Sequence, residues 1–116
     1  MTIFAEGHAA VVTGAAGGIG LAIAKACLAR GMRVTMADWD KERLMAEAAD
    51  LVDEAPGRVA WHACDVSDMA EVEALREAAL GAHGPVDLLV NNAGIARPNK
   101  PWSGRDAWEL TLGVNL

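Results

Sequence analysis

The chain predicts an α/β fold in which a parallel sheet is wound on both faces by helices. Short runs of small, apolar and β-branched residues alternate with amphipathic stretches of helical length. Glycines, prolines and capping acids punctuate the junctions. Helix-length connections join successive strands as right-handed crossovers, which makes the sheet parallel and the fold doubly wound. The usual strand order for such a sheet, 3-2-1-4, puts the fourth strand at one edge.

Ala9-Ala10-Val11-Val12-Thr13 is the first strand, a buried run that leads straight into glycines. In the helix that follows, Ile19, Ala22, Ile23, Ala26 and Cys27 fall on one face, and Gly31 suits a left-handed C-terminal cap. Arg33 to Asp38 reads as the second strand. Asp40 is placed to cap a helix whose apolar stripe is Leu44, Met45, Ala48 and Leu51. Pro56-Gly57 breaks the chain before a third strand, Arg58 to Cys64. Ser67 is a fair N-cap for the next helix, with Asp68 and Glu71 at its positive end and Val72, Leu75 and Ala79 on its buried face. Gly84-Pro85 precedes a fourth strand, Val86 to Val90. A loop rich in Pro, Asn and Gly, residues 94–104, then leads to a helical stretch from about Arg105 with no stop signal before Leu116. The expected edge strand exposes Leu88-Leu89-Val90, a liability natural sheets cover. On this reading the chain stops within a domain.

At 116 residues the chain is one domain at most, and its 53% hydrophobic and 22% charged residues are a globular balance. A net charge of −6, from acids spread along the chain, argues against nucleic acid and anionic lipid as partners. No apolar run approaches the ~18 residues of a membrane span and no basic-then-apolar leader opens the chain, so a cytoplasmic setting is expected. Cys27 and Cys64 read as buried core thiols, and no metal site is expected.

The chemistry begins at Thr13-Gly14-Ala15-Ala16-Gly17-Gly18-Ile19-Gly20, a glycine turn between a strand and a helix. Without side chains the backbone can approach a diphosphate, and the helix start offers free N–H groups and partial positive charge. Gly14 makes the tight turn, Gly18 allows close approach and Gly20 lets helix and strand pack, with Gly17 counted among the cofactor-binding residues of the turn. Asp38, at the end of the second strand, is placed to accept hydrogen bonds from both ribose hydroxyls of an adenosine and to repel a 2′-phosphate. No Arg or Lys stands at positions 15 to 17, and Lys41 and Arg43 are expected to face water. NAD is therefore expected over NADP. Trp39 lies against the adenine face or packs elsewhere; Trp61 and Trp108 read as packing residues, and Trp102 lies in the loop after the fourth strand.

These residues resemble the N-terminal half of a short-chain dehydrogenase/reductase, a family with a Rossmann-like fold. The family's Thr-Gly-x-x-x-Gly-x-Gly turn matches Thr13, Gly14, Gly18 and Gly20, and its Asn-Asn-Ala-Gly segment matches Asn91-Asn92-Ala93-Gly94. Its acid after the third strand matches Asp65, followed by Val66, and an asparagine of the following long helix matches Asn115. The resemblance implies that Ile19 gives its backbone N–H to the pyrophosphate and that Asp65 and Val66 flank the adenine. It implies that Asn92, Ala93 and Gly94 pass the adenosine ribose and steady the sheet, and that Asn115 holds a water in a proton relay. It further implies hydride transfer between NAD and a small alcohol or carbonyl, by a homo-oligomer built on the long helix.

The family's serine, tyrosine and lysine are expected after Leu116, since the 116 residues contain no tyrosine. His8, His62 and His83 occupy unsuitable contexts for a replacement acid, so the chain by itself is expected not to turn over. Two other readings stay open: a stand-alone nucleotide-binding module whose fourth strand a partner covers, and a translated remnant of marginal stability.

Overall fold

The computed structural model describes residues 4–92, with seven elements in strict alternation. These are β1 (Ala9–Thr13), α1 (Gly18–Ala29), β2 (Arg33–Asp38), α2 (Lys41–Glu54), β3 (Val59–Ala63), α3 (Met69–His83) and β4 (Leu88–Val90). The four strands form one parallel sheet in the order β3-β2-β1-β4, as the crossover argument requires.

Side chains alternate across this sheet. Ala10, Val12, Val34, Met36, Leu88 and Val90 face one helical layer, closed by Ala24, Cys27 and Leu28 of α1 and Leu44, Ala48 and Leu51 of α2. Val11, Ala37 and Leu89 face the other, closed by Val72, Leu75 and Ala79 of α3. Every residue of β1 is buried, which explains a strand that reads as an unbroken apolar run. β4 is the outermost described strand on its side, but its three side chains are buried between the layers rather than exposed.

The termini of the elements follow local chemistry. Asp40 caps α2, its Oδ1 accepting from the Arg43 N–H at 3.2 Å. Gly31, at φ 82°, closes α1: its N–H donates to the Leu28 carbonyl, and the Met32 N–H donates to the Cys27 carbonyl. The cap of α3 is Asp68, not Ser67: Asp68 Oδ1 accepts from the Ala70 and Glu71 N–H groups. Ser67 instead turns its hydroxyl to Asp65 Oδ1 at 2.7 Å, because the acid ahead of it is the better acceptor.

Other details depart from expectation. β3 is shorter than Arg58 to Cys64, since Arg58 donates from its guanidinium to the Leu28 and Met32 carbonyls just outside the sheet. β4 starts at Leu88 rather than Val86; Asp87, just before it, accepts the Ala9 N–H on its own carboxylate. Ile19, Ala22 and Ala26 of α1 are exposed, and Ile23 is half-buried; the buried face carries Gly20, Ala24, Cys27 and Leu28. Met45 and Trp61 are also partly exposed, Trp61 at 37% on the outer strand β3. Both cysteines are free and buried. Among the described residues no helix is long and apolar enough to cross a membrane. The expected loop and final helix, with Ala93, Gly94, Trp102, Trp108 and Asn115, lie outside the described residues.

Candidate functional site

The site lies at the carboxyl ends of β1 and β2, where the turn after β1 meets the end of β2. Gly14, at φ 64°, takes the left-handed conformation that lets the chain leave β1 sharply. The turn then leans on β2: the Ala15 N–H donates to the Ala37 carbonyl at 3.0 Å, and the Ala16 N–H donates to Asp38 Oδ2 at 3.0 Å. The other oxygen of Asp38 accepts from the Asp40 N–H at 3.0 Å. Two backbone donors thus fix the carboxylate in orientation while its remaining lone pairs face outward.

Gly20 lets α1 approach this turn. A Cβ there would collide with the Gly14 carbonyl oxygen and fall 2.7 Å from its carbon and 3.0 Å from Asn92 Nδ2. Gly18, at φ 55°, has open space where a side chain would stand. The helix it begins has no side-chain cap and no acid in its first turn, whereas α2 and α3 are each capped by an aspartate. The N–H groups at the start of α1 are thereby left for an external acceptor, with the positive end of the helix dipole behind them.

Thr13 ties the far side together. Its Oγ1 accepts from the Asn92 N–H at 2.9 Å and donates to the Val90 carbonyl at 3.2 Å, joining the ends of β1 and β4. The sequence reading gave Thr13 no bond of its own; its burial in an apolar strand was the available signal.

Gly14, Gly17, Asp38, Trp39 and Asn92 line a cleft of about 260 Å³ together with Ala16, Asp40 and Arg43. Trp39 is 66% exposed and presents a broad apolar surface at the rim. Gly18, Ile19 and Gly20 form the adjoining first turn of α1, with the Ile19 side chain 71% exposed. Asp65 and Val66 are not brought into this cleft. Val66 is buried under α3, and Asp65 accepts the Ser67 N–H on Oδ1 at 3.0 Å. The end of β3 is nonetheless tied to the site, because the Cys64 N–H donates to the Asp38 carbonyl at 3.0 Å.

Arg43 begins α2 and is exposed, as expected, and its guanidinium also lies over Gly17: a Cβ on that glycine would stand 2.8 Å from Arg43 Cζ. The cause is its place on the helix, since the third residue after the Asp40 cap points back toward the β1 turn. Burial pushes the nearby Cys64 thiol up to about 12, assisted by the carboxylates of Glu71, Asp65 and Asp68.

A glycine turn, an uncapped helix start and a fixed acid at the end of the second strand sit together on a Rossmann-like, doubly wound parallel sheet. Residues 8–116 match the family model for short chain dehydrogenases, and the chain belongs to the short-chain dehydrogenase/reductase family. It is 43% identical over 113 residues to D-threitol dehydrogenase of Mycolicibacterium smegmatis, covering 96% of this chain and 43% of that protein. A short-chain dehydrogenase/reductase from Burkholderia phymatum solved in complex with NAD superposes with a TM-score of 0.74 and 41% identity, over 81% of this chain and 33% of that one. L-Sorbose reductase from Gluconobacter frateurii, solved with NADPH and L-sorbose, gives 0.74 and 36% over 81% of this chain and 36% of that one. The chain thus spans less than half the length of these relatives.

Proposed function

We propose that residues 1–116 supply the cofactor-binding part of an NAD-dependent oxidoreductase that acts on a small alcohol or carbonyl. The observation that carries this reading is the Asp38 carboxylate, held by the Ala16 and Asp40 N–H groups at the rim of the glycine-turn cleft. In that position it suits the two ribose hydroxyls of the adenosine half and disfavours a 2′-phosphate, so NAD is the preferred cofactor. Gly14, Gly17, Gly18, Ile19 and Gly20 then receive the diphosphate at the start of α1, and Trp39 covers one side of the adenosine. Asp65 acts one step removed on the adenine side, by shaping the turn that carries Val66. Asn92, with Ala93 and Gly94, borders the ribose.

Bound NAD would supply the hydride acceptor. The chain's own part is to hold the dinucleotide and, through Asn115, to position a water for proton transfer. A carbonyl or alcohol also needs a proton donor or acceptor at its oxygen. The resemblance assigns that to a tyrosine, which these 116 residues lack, so turnover requires a further segment. Relatives with named activities toward D-threitol and L-sorbose favour a hydroxyl-bearing small molecule as substrate.

Calorimetric titration of the protein at its native length with NAD and NADP tests the reading. NAD is expected to bind more tightly, and Asp38→Asn is expected to weaken NAD by about tenfold, the value of one charge-assisted hydrogen-bond set. Equal or tighter binding of NADP by the unaltered protein overturns the cofactor assignment.

A further inference from the structure

We propose that the protein carries a second ligand site, a cleft for a small monocarboxylate at the edge of the sheet opposite the glycine turn. The cleft has a volume of about 410 Å³ and lies between the last turns of α1 and α2. There Lys25, Leu28, Leu51, Glu54 and Ala55 meet Arg58, the residue before β3. All four strands run the same way, so these helix ends and the start of β3 sit at the amino edge of the sheet. The glycine turn and Asp38 sit at the carboxyl edge, and the six residues of β2 span the distance, about 17 Å of extended chain. The two clefts share no residue.

Arg58 is the anchor. Its side chain is half-buried, and Nη1 donates to the Leu28 carbonyl at 3.0 Å and to the Met32 carbonyl at 3.1 Å. Those bonds use both hydrogens of Nη1 and fix the plane of the guanidinium against the end of α1. Nε and Nη2 keep their N–H groups without a partner among the described residues. On adjacent nitrogens, they form the fork that a carboxylate fills with two parallel bonds. Because the helix end already holds this side chain, little of its freedom is lost when an anion arrives.

The charge around the fork is unpaired. Lys25 and Glu54 line the same cleft, yet neither forms an ion pair with the other, nor with Arg58 in the case of Glu54, among the described residues. Two cations and one carboxylate leave one positive charge uncompensated, which a monocarboxylate balances. A dicarboxylate or a phosphate dianion brings a second negative charge toward Glu54 and is disfavoured. Leu28, Leu51 and Ala55, all buried, form an apolar floor for a short aliphatic body.

Butyrate, succinate and inorganic phosphate are the probes, followed by proton–nitrogen correlation NMR on the protein at native length. Butyrate is expected to shift the Arg58 Nε–H and the Lys25 and Ala55 amides saturably, with a dissociation constant on the order of 1 mM. The Gly17 and Asp38 amides should stay in place. Lys25→Gln, at an exposed position outside the core, is expected to weaken butyrate about fivefold. Arg58→Lys, which keeps the charge but not the fork, should weaken it about tenfold. Succinate should bind the parent about tenfold more weakly than butyrate, and Glu54→Gln should narrow that gap to about twofold. Lys25→Gln and Glu54→Gln leave the Arg58 bonds to α1 intact, so they decide the matter even if Arg58→Lys does not fold. No saturable shift at Arg58 up to about 50 mM butyrate, or parental butyrate binding by Lys25→Gln, overturns the site. Succinate or phosphate binding the parent as tightly as butyrate overturns the assignment to a monocarboxylate.

Discussion

Replacing Gly20 by alanine separates close packing from helix propensity at the heart of the turn. Gly20 lies in the first turn of α1, and alanine there gains at most about 1 kcal/mol from propensity. Against this, the new Cβ would collide with the Gly14 carbonyl oxygen and stand 2.7 Å from the Gly14 carbon. Both atoms are backbone, and Gly14 is held at φ 64° beside a turn that β2 anchors, so no rotamer change relieves the overlap. Overpacking commonly costs about 1–3 kcal/mol, and a clash between two backbones belongs at the upper end. The net expectation is a loss of about 2 kcal/mol, or roughly 10 °C in melting temperature for a domain of this size. Gly81→Ala is the matched control: Gly81 is exposed in α3, with nothing within 4 Å of its added Cβ. It should gain about 0.5–1 kcal/mol. Urea denaturation followed by circular dichroism measures both. A Gly20→Ala protein as stable as the parent, alongside the expected gain at Gly81, would refute the close-approach argument.

Thr13→Val keeps the shape of the side chain but strands the Asn92 N–H and the Val90 carbonyl, so a loss of about 1–3 kcal/mol in urea denaturation is expected. Cys64, pushed up to about 12, should resist a thiol-specific disulfide reagent at pH 8 until urea unfolds the protein; rapid labelling of the native protein would contradict its placement. His83 is buried with Nε2 unpartnered, and burial first of all holds its pKa below the ordinary 6.5, opposed in part by a bond to the Val34 backbone. Its neutral form is thus favoured in the fold, and stability, complete above pH 6.5, should fall as pH drops through that value toward the lower native pKa. Denaturation midpoints taken across this window should show a slope that His83→Gln reduces; a parental slope in the variant would count against the account.

The strands were legible because a parallel strand buried on both faces must be apolar throughout. β1 consists of small and β-branched residues, β2 buries Val34, Thr35, Met36 and Ala37 at its centre, and the predicted limits of both match the structure. The Asp40 cap and the Gly31 terminus were legible for a similar reason, since few residues satisfy those backbone positions. The face of α1 was not. Its residues are apolar nearly all round, so periodicity could not tell the exposed Ile19, Ala22 and Ala26 from the buried Ala24 and Leu28. What selects the buried face is Gly20, whose missing side chain brings that side of the helix onto Gly14. Such a contact is visible only once the chain is folded. Met45 and the Ser67–Asp68 cap failed at the scale of a single residue, where neighbouring candidates compete for one place.

Arg43 is exposed at the start of α2, as charge near a helix start suggests, and only the geometry of the preceding turn shows that its guanidinium lies over Gly17. The same geometry assigns Asp38 two tasks that cannot be separated. Its carboxylate accepts the Ala16 N–H and so shapes the turn, and it also faces the cleft as the proposed ribose acceptor. Any substitution that changes what Asp38 reads also loosens the backbone that would hold the diphosphate. Arg43 makes no such structural bond with its side chain among the described residues, and a change there leaves the turn, the Asp40 cap and the Asp38 anchor in place. A substitution at position 38, by contrast, must disturb the turn itself.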